Sequence, residues 1–175
     1  MMHQPNLHTL FNPKGIAVVG ASTHPGKFGF VALHNIIAAG FEGKIVATNP
    51  KMPEILGIQT LKSVDLIPKD SIDVAMICLG PKQTIAVLPE LAEKGVKAGF
   101  VVSGGFRESG AEGVELEHEL VQVADSLGVT IAGPNGQGFV STPANLCSQI
   151  VSPYPPMGNI SIASQSGNIL SAMLD

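Results

Sequence analysis

The sequence has few cysteines, few charges and no long hydrophobic run. Its two cysteines, Cys78 and Cys147, lie far apart and form no CxxC pair, so a disulfide framework is not expected and a reducing compartment is favoured. No apolar stretch reaches the length of about 18 residues that a membrane span needs. Residues 1–10 lack the basic and apolar segments of a signal peptide. We therefore expect a cytoplasmic protein with no membrane partner.

The scarcity of charge excludes further classes of site. Charged residues make up 14% of the chain and the net charge is −4, with no run of Lys or Arg, so no nucleic-acid partner is expected. The five histidines show no metal-ligand spacing with cysteine or with one another, and no metal site is expected. Because no GxSxG motif and no arrangement of Ser, His and acid stands out, we assign no catalytic residue.

Short apolar segments that alternate with segments of helical period dominate the chain, in which 45% of residues are hydrophobic. Runs rich in β-branched residues predict strands at 15–20, 44–48, 73–79, 98–102 and 130–132. Apolar residues at helical spacing predict helices at 30–39, 82–93 and 112–127, and each is followed by a glycine. This alternation predicts an α/β fold, a Rossmann-like doubly wound parallel sheet with its ligand site above the carboxyl ends of the strands.

The composition changes at residues 152–159, where three prolines in eight residues predict a stiff linker. The expected organisation is a nucleotide-binding domain over 1–151, this linker, and the start of a second α/β domain over 160–175. In that last part an apolar segment predicts a strand at 160–163, followed by a turn and the beginning of a helix. Since one strand and a helix start cannot bury a core, we expect the chain to end inside the second domain.

A glycine-rich loop follows the first predicted strand and is typical of phosphate binding. Residues 20–29 read GASTHPGKFG before a helix, so backbone N–H groups and the helix N-terminus can receive a pyrophosphate. The candidate ligand-binding residues of this loop are Gly20, Ala21, Ser22, Lys27 and Gly29. Because Ser22 replaces the second glycine of GxGxxG, a plain NAD site is disfavoured. The alternative is an ordinary strand-to-helix turn that requires glycine.

The second predicted strand ends without the carboxylate that dinucleotide-binding folds place there for a ribose 2′-hydroxyl. The residues that follow it are Asn49, Pro50 and Lys51. A cation at this position suits a ribose that carries a phosphate, as in NADP and coenzyme A. Pro50 and Lys51 are therefore candidate ligand contacts, and a turn with a solvated lysine is the alternative.

Loops after the fourth and fifth predicted strands offer further contacts at the same edge of the sheet. Ser103, Gly104 and Gly105 follow the fourth strand, and adjacent glycines allow a ligand to approach the backbone closely. Asn135 follows the fifth strand in a Gly-Pro-Asn turn and can contact a ligand through its amide. A flexible loop and a rigid turn, respectively, are the alternatives.

A Ser/Gly turn near the end of the chain repeats this pattern. Ser164, Ser166 and Gly167 precede an apolar segment, and such a turn into a helix forms a small anion site. Helix capping by Ser166 is the competing explanation.

Five motifs follow one another along the chain. They are FNPK at 11–14, IAVVGAS at 16–22, NPK at 49–51, GGF at 104–106 and GPN at 133–135. Together they resemble the CoA-binding domain of NDP-forming acyl-CoA synthetases, a family that includes succinyl-CoA synthetase α subunits and related protein lysine acetyltransferases. The resemblance spans about residues 10–140, and SQSG at 164–167 continues it into a flavodoxin-like, succinyl-CoA-synthetase-like second domain. The chain departs from the family at Gly136, where cysteine is usual, and at 79–82, where many relatives carry Val-Pro.

The resemblance implies the CoA-binding segment of an enzyme that converts an acid, CoA and ATP or GTP to acyl-CoA, nucleoside diphosphate and phosphate. CoA would lie against the candidate residues, with Lys51 paired to a phosphate. Mg and the nucleotide would be held by a nucleotide-grasping domain or β subunit. Ser164, Ser166 and Gly167 would face a phosphohistidine that lies beyond this chain. Without that histidine, this chain alone would be inactive. The alternative function is a CoA- or NADP-sensing regulatory domain, alone or fused to a lysine acetyltransferase.

Overall fold

A seven-stranded sheet forms the centre of the protein in the computed structural model, which describes residues 6–151 and 154–174. In chain order its strands are β1 (Gly15–Val19), β2 (Lys44–Thr48), β3 (Glu54–Ile55), β4 (Ile58–Leu61), β5 (Val74–Ile77), β6 (Ala98–Val101) and β7 (Thr130–Ala132). In space the order is β3-β4-β2-β1-β5-β6-β7. All neighbours pair in parallel except β3 with β4. A separate antiparallel hairpin joins β8 (Gly138–Ser141) to β9 (Leu146–Gln149).

Helices cover both faces of the sheet. They are α1 (Leu7–Phe11), α2 (Phe28–Ala38), α3 (Pro81–Glu93) and α4 (Ala111–Leu127). A further helix, α5 (Gly167–Leu174), buries no residue and belongs to neither core cluster. On one face, residues of α3 and α4 pack on Ala17 and Val19 of β1, and on the other, residues of α1, α2 and the β8–β9 hairpin pack on Ile16 and Val18. All residues of β1 are buried because side chains alternate between two covered faces. The predicted Rossmann-like fold is confirmed.

Each of the five predicted strands coincides with one strand of the parallel sheet, and the three predicted helices correspond to α2, α3 and α4. The β3–β4 hairpin and the β8–β9 hairpin are additions that the sequence pattern did not reveal. In the first, the turn consists of Leu56 and Gly57 at φ 52° and 80°. A leucine there lacks the Asn-Gly or Asp-Gly signal by which such turns are recognised. None of the helices within residues 6–151 and 154–174 is long and apolar enough to span a membrane.

The order in which strands are added across the sheet reverses between β1 and β5. From β1 the chain proceeds to β2 and β4 on one side and then crosses to β5, β6 and β7 on the other. In sheets of this kind ligands bind in the crevice outside the carboxyl ends of the two strands that flank the reversal. Gly20, directly after β1, lies there with φ 86°, and a Cβ on it would be 2.9 Å from the carbonyl oxygen of Cys78.

The strand predicted at residues 160–163 is not formed. Among the described residues this segment pairs with no strand, and Ile160 is 86% exposed. A strand is maintained by hydrogen bonds to a neighbouring strand, so an apolar run without such a neighbour does not adopt one. The helix start predicted after it is present as α5. The boundaries 1–151, 152–159 and 160–175 stay predictions, and residues 1–5, 152–153 and 175 lie outside the described residues.

The first turn of α2 lies against the end of β1, and this contact requires glycine at position 29. A Cβ on Gly29 would lie 2.1 Å from the carbonyl oxygen of Gly20. We expect Gly29→Ala to lower the free energy of unfolding by about 3 kcal/mol, because the helix must move off the strand. Urea unfolding measures this change. Gly158→Ala is the control, since position 158 has open space around it, and equal unfolding midpoints for the two variants would contradict the contact.

Candidate functional site

The loop after β1 is fixed to the end of β2 by backbone hydrogen bonds. The N–H of Gly20 donates to Thr48 Oγ1 at 3.2 Å, and the N–H of Ala21 donates to the Thr48 carbonyl at 3.0 Å. The Ser22 hydroxyl oxygen accepts from the N–H of His24 at 3.0 Å. These bonds order the loop, and its first three candidate residues lie at the carboxyl end of β1.

The N-terminus of α2 lacks a capping side chain. Lys27 occupies the N-cap position and makes no side-chain hydrogen bond to the helix. The first N–H groups of a helix have no partner within it, and together with the helix dipole they favour an anion. Gly29 in the first turn of α2 is buried against Gly20. Because it has no side chain, the helix can approach the strand closely.

Asn49 joins the loop after β1 to the turn after β2. Its side-chain N–H donates to the Ala21 carbonyl at 2.8 Å, and its Oδ1 accepts from the N–H groups of Lys51 at 2.8 Å and Met52 at 2.9 Å. Pro50 and Lys51 are exposed at this turn. Asn49 is not among the predicted site residues, although the Asn-Pro pair is itself a recognisable turn signal. The structure shows that Asn49 sets the backbone position of Lys51.

The loops after β6 and β7 contact each other. The Ser103 carbonyl accepts from the N–H of Asn135 at 3.0 Å, and a Cβ on Gly104 would lie 3.2 Å from Asn135 Oδ1. Gly105 has φ 98°, a conformation that favours glycine. The structure therefore brings Ser103, Gly104, Gly105 and Asn135 together at the carboxyl edge of the sheet.

A carboxylate of the chain itself binds the backbone of this region. Glu108 Oε1 accepts from the N–H groups of Gly105 at 2.5 Å and Phe106 at 3.3 Å. Slight burial acts to raise the pKa of the Glu108 carboxyl, but hydrogen bonds from the backbone N–H groups of Gly105, Glu108 and Phe106 lower it, and the net pKa lies below its ordinary value. Glu108 is not among the predicted site residues, because its pairing with the backbone depends on the conformation of the loop.

A cavity of about 650 Å³ is lined by the loop at residues 133–138 and by the start of α5. Four of the predicted site residues contribute to its lining, namely Asn135, Ser164, Ser166 and Gly167, and the remaining candidates lie outside it. Ser166 Oγ accepts from the N–H of Ile169 at 3.4 Å, which is the contact of an N-cap residue with the third residue of the helix. The capping role considered for Ser166 is thus present, and polar groups of this turn also face the cavity.

Gly136 makes room for an aromatic ring beside the cavity. A Cβ at this position would lie 2.5 Å from Phe100 Cζ, and the Phe100 ring is itself 6.0 Å from that of Phe139. The ring of Phe100, which lines the cavity, therefore occupies the space that a side chain at position 136 would take. Glycine at position 136 therefore leaves the space that the Phe100 ring occupies.

The two thiols are poorly suited to nucleophilic chemistry. Burial raises the pKa of Cys78 to about 12 and that of Cys147 to about 11. Since the thiolate is the reactive form, both side chains are protonated and inert near neutral pH. Both cysteines are free. Among the described residues, no group of three or more His, Cys, Asp or Glu side chains could hold a metal ion.

Comparisons with known proteins agree on one family. Residues 14–141 match the family described as CoA binding domain. ADP-forming acetate–CoA ligase II of Archaeoglobus fulgidus is 39% identical over 172 residues, which are 98% of this chain and 25% of that protein. The α subunit of ADP-forming acetate–CoA ligase I of Pyrococcus furiosus is 41% identical over 173 residues, 97% of this chain and 37% of that subunit.

A solved structure shows the same architecture. Acetyl-coenzyme A synthetase 1 of Ca. Korarchaeum cryptofilum, in complex with phosphate and ADP, superimposes with a TM-score of 0.83 at 37% identity and covers 97% of this chain and 36% of that one. The chain thus spans only about a quarter to just over a third of the length of these relatives.

The Glu108 contact predicts a pH response. The backbone hydrogen bonds favour the ionised carboxylate, so the contact is complete above the ordinary glutamate pKa and is lost as the pH falls through the lower folded-state pKa. We expect the amide proton shifts of Gly105 and Phe106, followed by NMR, to titrate together with a midpoint below that of an ordinary glutamate. In Glu108→Gln this shared titration should disappear, and its persistence would assign the effect to another group.

The contact between Gly136 and Phe100 predicts a coupled pair of substitutions. Gly136→Cys should lower the free energy of unfolding by about 1–3 kcal/mol, because the new side chain meets a buried ring. In a Phe100→Leu background the same change should cost less, since the ring is gone. Thermal unfolding of the four proteins forms a double-mutant cycle. Additive effects would mean that the two positions do not compete for the same space.

Proposed function

The chain belongs to the CoA binding domain family, and we propose that it is the CoA-binding segment of an NDP-forming acid–CoA ligase. In the proposed reaction an acid, CoA and ATP or GTP give acyl-CoA, nucleoside diphosphate and phosphate. The observation that carries the proposal is identity of about 40% to such ligases over nearly the whole chain. The uncapped N-terminus of α2 beside the crevice between β1 and β5 supports the same function. So does Lys51, which follows β2 where dinucleotide-binding folds have a carboxylate.

We place the nucleotide part of CoA across the carboxyl ends of the strands. The pyrophosphate would accept hydrogen bonds from the first turn of α2, with the charge of Lys27 nearby. Lys51 would pair with the phosphate on the ribose, because Asn49 holds its backbone beside the loop after β1. The remainder of the CoA chain would pass Ser103, Gly104, Gly105 and Asn135 toward the cavity.

The chain supplies binding and no catalytic side chain in this proposal. Ser164, Ser166 and Gly167 would contact the phosphoryl group of a phosphohistidine contributed by another part of the ligase. Polar groups of that turn at the cavity and the N-terminus of α5 support this role. The nucleotide and Mg would be held by a nucleotide-grasping domain or a β subunit. We further propose that the ligase acts in the cytoplasm and has no nucleic-acid partner, which the two free cysteines and the scarcity of basic residues favour.

The Lys51 contact is tested by comparing CoA with dephospho-CoA, which lacks only the ribose phosphate. Lys51→Glu should weaken CoA binding about 10- to 100-fold, the equivalent of one charge-assisted hydrogen bond, and should change the affinity for dephospho-CoA far less. Calorimetric titration at fixed ionic strength measures both. Lys97→Glu is the matched control, because Lys97 is exposed and precedes β6 at the opposite edge of the sheet.

The same titrations test the function as a whole. Equal losses of affinity for CoA and dephospho-CoA in Lys51→Glu would show that Lys51 does not contact the ribose phosphate. They would not contradict the proposal that the domain binds CoA. A wild-type preference for NADP over CoA would overturn the ligase proposal and favour a dinucleotide-binding regulatory or redox domain.

A further inference from the structure

The side chain of Gln137 connects the loop after β7 to helix α5. Its amide N–H donates to Asn168 Oδ1 at 3.2 Å, and its Oε1 accepts from the Ser171 hydroxyl at 3.0 Å. Asn168 and Ser171 are three residues apart, so they lie on the same side of the helix. Both the donor and the acceptor end of one amide are therefore used by one helix face.

Gln137 is also held firmly at its backbone. Its carbonyl accepts from the N–H of Ile150 at 2.8 Å, which fixes the residue to the end of the β8–β9 hairpin. The approach of α5 is close as well, since a Cβ on Gly167 would lie 2.3 Å from Gln137 Cδ. The side chain thus joins an anchored loop to the first turn of the helix with no space to spare.

The helix that Gln137 holds is the one whose start borders the cavity. Ser166 and Gly167 line the cavity, and Asn135, two residues before Gln137, lines it from the other side. The direction of the N–H groups at the start of α5 therefore depends on a contact made from the loop opposite. The Gln137 carbonyl bonds to Ile150, whereas both hydrogen bonds of its side chain go to α5.

We propose that Gln137 is a positioning residue that sets the start of α5 against the cavity, and so aligns the Ser166 and Gly167 groups with a phosphoryl group bound there. This rests on the proposed function, because the phosphoryl ligand comes from the ligase reaction. Gln137 does not itself bind the ligand in this proposal. Its effect is transmitted through Asn168 and Ser171.

Hydrogen exchange in the chain itself tests the contact. Gln137→Leu keeps the approximate size of the side chain and removes both hydrogen bonds, so exchange of the Leu170 amide, which bonds to the Ser166 carbonyl, should accelerate about tenfold. Gln122→Leu, an identical change on the exposed side of α4, is the matched control and should leave α5 unchanged. Unaltered exchange in Gln137→Leu, or equal acceleration in both variants, would overturn the proposal.

A conservative variant distinguishes positioning of α5 by the hydrogen bonds of residue 137 from packing of its side chain. In Gln137→Glu the carboxylate accepts from the Ser171 hydroxyl and, after the Asn168 amide turns over, from its N–H group. Protection of α5 should therefore be retained in Gln137→Glu and lost in Gln137→Leu. Loss in both variants would show that the amide bonds to Asn168 and Ser171 are not what orders the helix.

The consequence for the reaction is tested in the complete ligase, run from acyl-CoA, phosphate and nucleoside diphosphate toward the acid. Gln137→Leu should raise KM for inorganic phosphate about tenfold and leave KM for CoA in the opposite direction unchanged, because only the α5 groups are displaced. A parallel rise in both constants would contradict a role confined to α5. If the wild-type chain binds no CoA, the proposed function fails, whereas the exchange of α5 still decides whether Gln137 positions the helix.

Discussion

The close approach of α2 to the end of β1 is the contact on which the rest of the site depends. The backbone at Gly29 lies against the carbonyl of Gly20, and Gly20 lies against the carbonyl of Cys78 at the end of β5. Three backbone segments therefore meet without side chains between them. Because of this the uncapped N-terminus of α2 opens directly above the crevice where the strand order reverses, at the place where a helix dipole acts on a bound anion.

Around that contact, the loops are joined by side chains that bind backbone groups of other loops. Asn49 links the turn after β2 to the loop after β1, and Glu108 occupies two N–H groups beside Gly105. Such bonds order a loop before a ligand arrives, which reduces the entropy lost on binding. Because Glu108 already accepts from these N–H groups, a phosphate of CoA would, under the proposed function, bind at the start of α2 rather than at the loop after β6.

The sequence was sufficient for five of the seven strands of the sheet and for the edge at which the candidate residues lie, because both follow from local patterns. The apolar segment of β1 and the helical spacing in α2 to α4 are visible in short stretches of sequence, and parallel pairing then places the carboxyl ends of the five predicted strands at one edge. The links made by Asn49, Glu108 and Gln137 were not predictable, since each joins groups whose proximity arises only from tertiary folding. The strand at 160–163 was wrong for the same reason: an apolar run does not specify the neighbour that would pair with it.

The site as a whole has two anion-favouring helix starts, at α2 and at α5, with the loop at residues 133–138 next to the second of them. Asn135 contacts the loop after β6 on one side, and Gln137 contacts α5 on the other. Under the proposed function CoA would be bound at α2 through its phosphates and would extend along Asn135 toward the cavity. The reactive end of CoA would then lie on one side of this short loop and the phosphoryl group on the other. The spacing between Asn135 and Gln137 then sets how the two binding regions are aligned, and a rigid loop serves that alignment better than a flexible one.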